Sequence, residues 1–293
     1  MKFYSRFAVC LASIAVFLSL CGCGKDKDGM IKVQGGKIPD SLINSLSLNV
    51  ENSSVEKTES VFSLSVSDFY ISRTEVTQQF YNEVMSENSD QKINPSYFNE
   101  DPADGESQKL RPVENVTWFD ALEFCNRLSV KENLEPVYVL TDVQYHKEGK
   151  SIKSADVKAD FSKNGYRLPT HAEWLFAACD SDVSLKESAW TDDNASEMTH
   201  QVGTKAVSKL GLYDMTGNVA EWVWDSPWSE TFECREYKNY HGPDEGSVRI
   251  IKGGSFVLLA AGTEFDYEIT SQNNAAENFR YYNVGFRIAR NAE

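Results

Sequence analysis

The sequence predicts an irregular α+β domain, and three observations predict it. Three threonines (Thr77, Thr117 and Thr170) stand at helix-start positions ahead of apolar residues spaced three and four apart. The strand-like runs between them are short. The connecting segments are long and marked by Asn, Asp, Pro and Gly, an arrangement that is unusual unless the loops have a function.

Taken in order, residues 37–60 are rich in Ser and Asn and read as a surface excursion. Residues 61–71 alternate toward one strand. Thr77 caps a helix expected to run to about residue 86, with Phe80, Tyr81, Val84 and Met85 on its buried side. Residues 86–114 read as loop. Thr117-Trp118-Phe119-Asp120 has capping-box spacing and starts a helix that buries Trp118, Ala121, Leu122 and Cys125. Residues 137–145 and 151–157 form a polar hairpin around Glu148-Gly149. Thr170-His171-Ala172-Glu173 is a third cap, with Trp174 and Ala178 facing the core. After Trp190 come loops and short strands, with residues 192–209 polar, Ile250-Ile251 leading into Gly253-Gly254, and 284–288 as the final strand.

The first 22 residues read as a targeting segment. Lys2 and Arg6 form a basic start, and residues 7–20 are an apolar run of 14 residues, too short to span a bilayer as a helix. The run ends in Leu20-Cys21-Gly22-Cys23, which reads as a bacterial lipoprotein box. Gly22 is the small residue before the cut and Cys23 the lipid-bearing residue, because bulky Leu20 disfavours Cys21. An ordinary secretory signal is the alternative. The expected organisation is a signal peptide over 1–22, a lipidated tether over 23–29 and one domain over 30–290, exported and anchored to a bacterial membrane, periplasmic or at the cell surface. The six residues 24–29 that follow Cys23 reach at most ~20 Å, so the domain is expected to sit close to the membrane.

Without residues 1–22 the chain has 27 basic and 44 acidic side chains, a formal charge of −17. So acidic a domain argues against nucleic acid and anionic lipid as partners. Cys125, Cys179 and Cys234 remain beside Cys23; three thiols allow at most one bridge, and no pairing is assigned. The four histidines, His146, His171, His200 and His241, are scattered without a metal-binding pattern and are expected at the surface, His171 at an exposed first-turn position. Arg167 and Arg287 lie in apolar surroundings and are expected to be buried and structural.

The most informative segment is Gly211-Leu212-Tyr213-Asp214-Met215-Thr216-Gly217-Asn218-Val219-Ala220-Glu221-Trp222. Gly217-Asn218 supplies a tight turn, and Asp214 and Glu221 can close around its main-chain carbonyls, an oxygen set that suits calcium. The same two carboxylates could instead bond backbone N–H groups and brace the turn. The segment resembles the signature of the formylglycine-generating enzyme, or sulfatase-modifying factor, family, whose domains have a variant of the C-type-lectin fold. Further segments agree in order: Met30-Ile31-Lys32-Val33-Gln34-Gly35-Gly36 for the opening strand, Arg73-Thr74-Glu75-Val76-Thr77, Asn94-Pro95-Ser96-Tyr97-Phe98, Arg111-Pro112-Val113-Glu114-Asn115-Val116-Thr117-Trp118, Gly165-Tyr166-Arg167-Leu168-Pro169-Thr170, Lys252-Gly253-Gly254-Ser255-Phe256 and Gly285-Phe286-Arg287.

The resemblance implies a calcium ion held by the side chains of Asp214 and Glu221 and the carbonyls of Gly217 and Val219. It also implies where copper(I) thiolates should stand, shortly after the Gly-Gly-Ser-aromatic turn. There this chain has Leu258 and Thr263, neither of which binds copper(I), and no cysteine follows Cys234. The expected function is therefore a membrane-anchored, non-catalytic ligand-binding module. Its recognition residues would be Asp266, Tyr267, Gln272, Asn274, Asn278, Arg280 and Tyr281, and its ligand a protein, a peptide or a glycan. Two alternatives stand beside this one. The first is an oxidase of the sulfatase-modifying and nonheme iron enzyme superfamily with an altered active site, and the second a scaffold subunit of a surface assembly.

Overall fold

Each of the three predicted threonine caps closes a helix in the computed structural model. It describes residues 29–46, 49–50, 62–86, 93–147, 151–179, 183–228, 231–233, 235–243, 246–257, 269–271 and 273–292. Cys23, Cys234, Leu258, Thr263, Asp266, Tyr267 and Gln272 lie outside the described residues.

The helices are α1 (Asp40–Ser45), α2 (Gln78–Met85), α3 (Trp118–Lys131), α4 (His171–Ala178) and α5 (Leu185–Ser188). The Phe80 N–H donates to Thr77 Oγ1 (3.2 Å), capping α2. At α3, Asp120 N–H donates to Thr117 Oγ1 (3.0 Å) and Thr117 N–H to Asp120 Oδ2 (3.0 Å), a full capping box. The Thr170–Glu173 box at α4 is the same, at 3.1 and 3.0 Å. Of the apolar residues expected under α2, Tyr81, Val84 and Met85 are buried and Phe80 is half-buried.

Several expectations change in the folded chain. Residues 37–46 are more than surface: Pro39 fixes the entry into α1, and Ile38, Ile43 and Leu46 are buried beside Leu64, while most of the remaining expected excursion lies outside the described residues. The run at 61–71 divides into the strands Ser63–Val66 and Phe69–Ser72, which join different sheets. Side chains hold the break: Asp68 Oδ1 accepts the Gly35 N–H (2.8 Å) and Asn239 Oδ1 accepts the Ser67 N–H (2.7 Å). The expected last strand is likewise two, Val284–Phe286 and Ala289–Asn291, because Arg287 between them turns into the interior.

A four-stranded sheet, ordered Asn273–Ala276, Val248–Lys252, Ala220–Trp222, Val284–Phe286, runs through the molecule. Its last pair is parallel, with Gly285 opposite Glu221; on the other side Lys252 lies opposite Glu221. A second sheet sets Phe69–Ser72 between Met30–Val33 and Ala289–Asn291. The hairpin Tyr138–Tyr145/Ile152–Ala159 forms where the sequence predicts one, but it is not polar throughout: Tyr138 and Ile152 are buried in the core cluster that also holds residues of α3. Two apolar clusters form the core: one holds Trp118, Phe124, Trp222 and Phe286, the other Phe69, Ile71, Trp174 and Ile250. Among the described residues no helix is long and apolar enough to cross a membrane.

Candidate functional site

The Gly-Asn turn has the geometry its sequence requires. Asp214, Gly217 and Asn218 all take positive φ, at 53°, 79° and 54°. A Cβ at Gly217 would lie 2.2 Å from the Trp190 carbonyl oxygen, so only glycine fits there. Asn218 is fully buried and saturated: its Nδ2 donates to Glu75 Oε2 (2.8 Å) and to the His200 carbonyl (3.2 Å), and its Oδ1 accepts the His200 N–H (2.9 Å).

Inside this turn lies a cluster of three buried carboxylates. Glu221, on the central strand, accepts from Arg287 Nε (2.7 Å), Arg287 Nη2 (2.7 Å) and Trp174 Nε1 (2.8 Å). Asp214 Oδ2 accepts the Gly203 N–H (2.7 Å), while Oδ1 is buried with no hydrogen-bond partner. The third, Glu75, precedes α2 and takes the Val219 N–H (3.0 Å) as well as the Asn218 amide. Burial, then repulsion from Asp214 and Glu221, holds the Glu75 carboxyl well above the usual carboxylate range. Burial pushes Asp214 up to about 6, with Glu221 adding to the rise.

Arg287 is the guanidinium in direct contact with this cluster, and it also donates to the carbonyls of Ser72, Tyr213 and Asp214 (3.0–3.1 Å). Both expected arginines are thus buried and structural: Arg167 pairs in fork geometry with Glu173 at 2.6 and 2.7 Å. Among the described residues no group of three His, Cys, Asp or Glu side chains is placed to hold a metal ion, and Asp214 Oδ1 is the carboxylate oxygen of this cluster that no hydrogen bond engages. Glu221 is already shared between Arg287 and Trp174, so it can serve a cation only as part of that network.

The histidine expectation is corrected. His171 is fully buried at the first turn of α4, against Trp228 (centroids 4.5 Å), with neither ring nitrogen hydrogen-bonded. Burial, then the nearby Lys252, holds its pKa well below the usual value. His200 is also buried, stacked on Trp190 (3.7 Å) with Nδ1 2.9 Å from Glu106.

At the surface a shelf of aromatic rings is gathered from three loops. Tyr97 is 69% exposed and Tyr282 38% exposed, with their rings 5.8 Å apart. Phe98 and Phe256 lie behind them, Phe98 at 5.0 Å from Tyr97 and 5.3 Å from Phe256. Tyr281 stacks on Phe279 at 4.0 Å. Two polar groups hold these loops, buried Glu114 and half-buried Asn115. Both Glu114 oxygens accept main-chain N–H groups, from Tyr97 (2.9 Å) and Phe98 (3.0 Å). Asn115 joins the shelf's two sides, its N–H on the Tyr281 carbonyl and its Nδ2 on the Pro95 carbonyl, both at 2.8 Å.

Of the recognition residues expected from sequence, Asn278, Arg280 and Tyr281 flank this shelf in the chain, and Asn274 is exposed on the strand Asn273–Ala276. Asp214 and Glu221, expected as metal ligands, are interior, and so are Val219 and the Gly217 turn. Sequence reasoning missed Tyr97 and Glu75, although both stand in segments that carry the family resemblance.

A family model described as the sulfatase-modifying factor enzyme 1-like domain matches residues 23–292. The chain belongs to this family. In the family's terms, this member is 35% identical over 290 residues to the chaperone protein LppX of Paenibacillus barcinonensis, covering 87% of this chain and 89% of that protein. It is 28% identical over 155 residues to the formylglycine-generating enzyme of Streptomyces coelicolor, covering 44% of this chain and 48% of that enzyme. Among solved structures, Treponema denticola variable protein 1 superimposes with a TM-score of 0.70 at 33% identity, covering 90% of this chain and 95% of that one. The expected irregular α+β, C-type-lectin-like architecture is therefore the fold of this chain.

Proposed function

We propose that this chain is a membrane-tethered binding domain that takes a protein or peptide on the aromatic shelf and is not an oxidase. In this reading residues 1–22 direct export, Cys23 carries the lipid, 23–29 are the tether and 30–290 form the binding domain. The observation that carries it is the exposed pair Tyr97 and Tyr282, fixed from below by Glu114 and Asn115. Large rings held at low entropy cost, beside Asn278, Arg280 and Tyr281, are the chemistry of adaptable protein recognition. A relative named as a chaperone accords with binding another protein. Leu258 and Thr263 in place of paired thiolates remove the means of holding copper(I), and Asp266, Tyr267 and Gln272 extend the recognition segment. Calcium at Asp214, Glu221 and the Gly217 and Val219 carbonyls would neutralise buried charge and brace the turn beneath the shelf.

The test is paired. Tyr97→Ser with Tyr282→Ser should abolish capture of the partner protein taken by the wild-type chain, while the thermal midpoint stays within about 2 °C. Capture that survives the double change refutes the shelf. Formylglycine product from a cysteine-containing peptide with copper(I) refutes the non-catalytic reading.

A further inference from the structure

A cleft of about 300 Å³ opens between α2, Asn94 and the turn at Gln108–Leu110. Among the described residues its wall is mainly carboxamides, Gln78, Gln79, Asn82, Asn94 and Gln108, with Glu83 and Lys109. Gln78 is buried and is the hub of the floor. Its Oε1 accepts from Asn94 Nδ2 (3.1 Å) and Gln108 Nε2 (2.9 Å), and its Nε2 donates to the carbonyls of Phe98 (2.9 Å) and Pro112 (3.3 Å). The Arg111 Nη1 donates to Gln108 Oε1 (3.2 Å), which fixes that amide's orientation as well.

Nearer the opening the amides keep capacity to spare. Asn82 Nδ2 donates to the Ile93 carbonyl (3.3 Å), leaving its second hydrogen and Oδ1 uncommitted. Gln79 donates from Nε2 to Glu83 Oε1 (2.7 Å), leaving its own Oε1 uncommitted. A row of groups that each donate and accept, set on a pre-ordered floor, matches hydroxyl groups, which also do both. Neither charge sign dominates, since Glu83 and Lys109 both line the cleft. The acidity of the whole chain disfavours polyanions. The volume lies at the lower end of small-ligand sites.

We infer that this cleft is a binding subsite for a neutral saccharide, read by Gln79 and Asn82 over the Gln78–Asn94–Gln108 floor. It stands on different side chains from the aromatic shelf, so either site can fail alone.

The experiment is saturation-transfer NMR on the full chain in detergent, using maltotriose, cellotriose, chitotriose and N-acetyllactosamine at millimolar concentration, with trialanine as a peptide control. At least one saccharide should show transfer from its ring protons. The double change Gln79→Ala/Asn82→Ala should weaken it about tenfold or more, while loss of the Asn82–Ile93 bond lowers the thermal midpoint by no more than about 4 °C. Tyr97→Ser/Tyr282→Ser should leave it within about threefold. The inference is overturned if no saccharide shows transfer, if the Gln79/Asn82 variant binds as the wild type does, or if trialanine alone responds.

Discussion

Glu114 offers a test of how a buried carboxylate shapes this domain. It is fully buried, and burial pushes its pKa up to about 7, against the opposing bonds from the Tyr97 and Phe98 amides. An acid whose folded pKa exceeds its unfolded value contributes stability that is complete below the unfolded pKa. That contribution is lost as pH rises through the folded pKa. For a group moved from 4.5 to about 7, the loss between pH 5.5 and pH 8 is about 2 kcal/mol. Glu114→Gln removes the titration, so the variant's unfolding free energy should vary by about 2 kcal/mol less across that window than the wild type's. The replacement amide has one acceptor where two N–H groups need one, leaving a buried donor unpaired at a cost of about 1–3 kcal/mol. At pH 5.5 the variant should therefore be less stable, and at pH 8 the two chains should approach one another. Urea unfolding at both pH values measures the first effect, and amide hydrogen exchange at Tyr97 and Phe98 measures the second. Equal pH dependence in both chains, with unchanged protection of those two amides, would refute the reasoning.

Three further outcomes follow from the interior. Gly217→Ala places a methyl group 2.2 Å from a main-chain oxygen at positive φ and should cost more than about 3 kcal/mol, read as loss of the cooperative urea transition. Millimolar calcium should raise the thermal midpoint, a chelator should reverse the rise, and Asp214→Asn should abolish the response; an unresponsive wild type argues that Arg287, with Lys205 near Asp214, balances the cluster without a metal ion. His171→Glu should raise the urea midpoint at pH 8 by giving a carboxylate neighbour to buried Lys252, whose pKa burial lowers to about 7; an unchanged or lower midpoint shows that the pair does not form.

Local rules predicted the parts of this fold that local forces decide. The caps at Thr77, Thr117 and Thr170 need only near neighbours, and the Gly217-Asn218 turn is signalled by its two residue types although Glu75 and Trp190 help to hold it; each is where the sequence puts it. The interruptions at Ser67-Asp68 and at Arg287 were not legible, because Asn239 and Glu221, which hold them, are distant in sequence. His171 misled for a related reason. A helix first turn is usually exposed, but this one lies under Trp228. Tyr97 carried no signal of exposure on its own; its prominence comes from Tyr282 and Glu114 meeting it in space.

The shelf and the acidic cluster are not independent. The Phe256 N–H donates to the Asn218 carbonyl (2.9 Å), and Phe256 is the ring against which Phe98 and Tyr282 rest. Asn218 in turn bonds Glu75, whose charge state depends on Asp214 and Glu221. Whatever neutralises those carboxylates, a proton or a calcium ion, therefore acts on the turn that supports the shelf. Linkage makes the coupling reciprocal: if calcium tightens partner binding, the partner must tighten calcium binding by the same factor. Measuring calcium affinity with and without saturating partner settles this. Equal affinities would show that the turn beneath Phe256 is rigid in either state, and that the cluster serves stability alone.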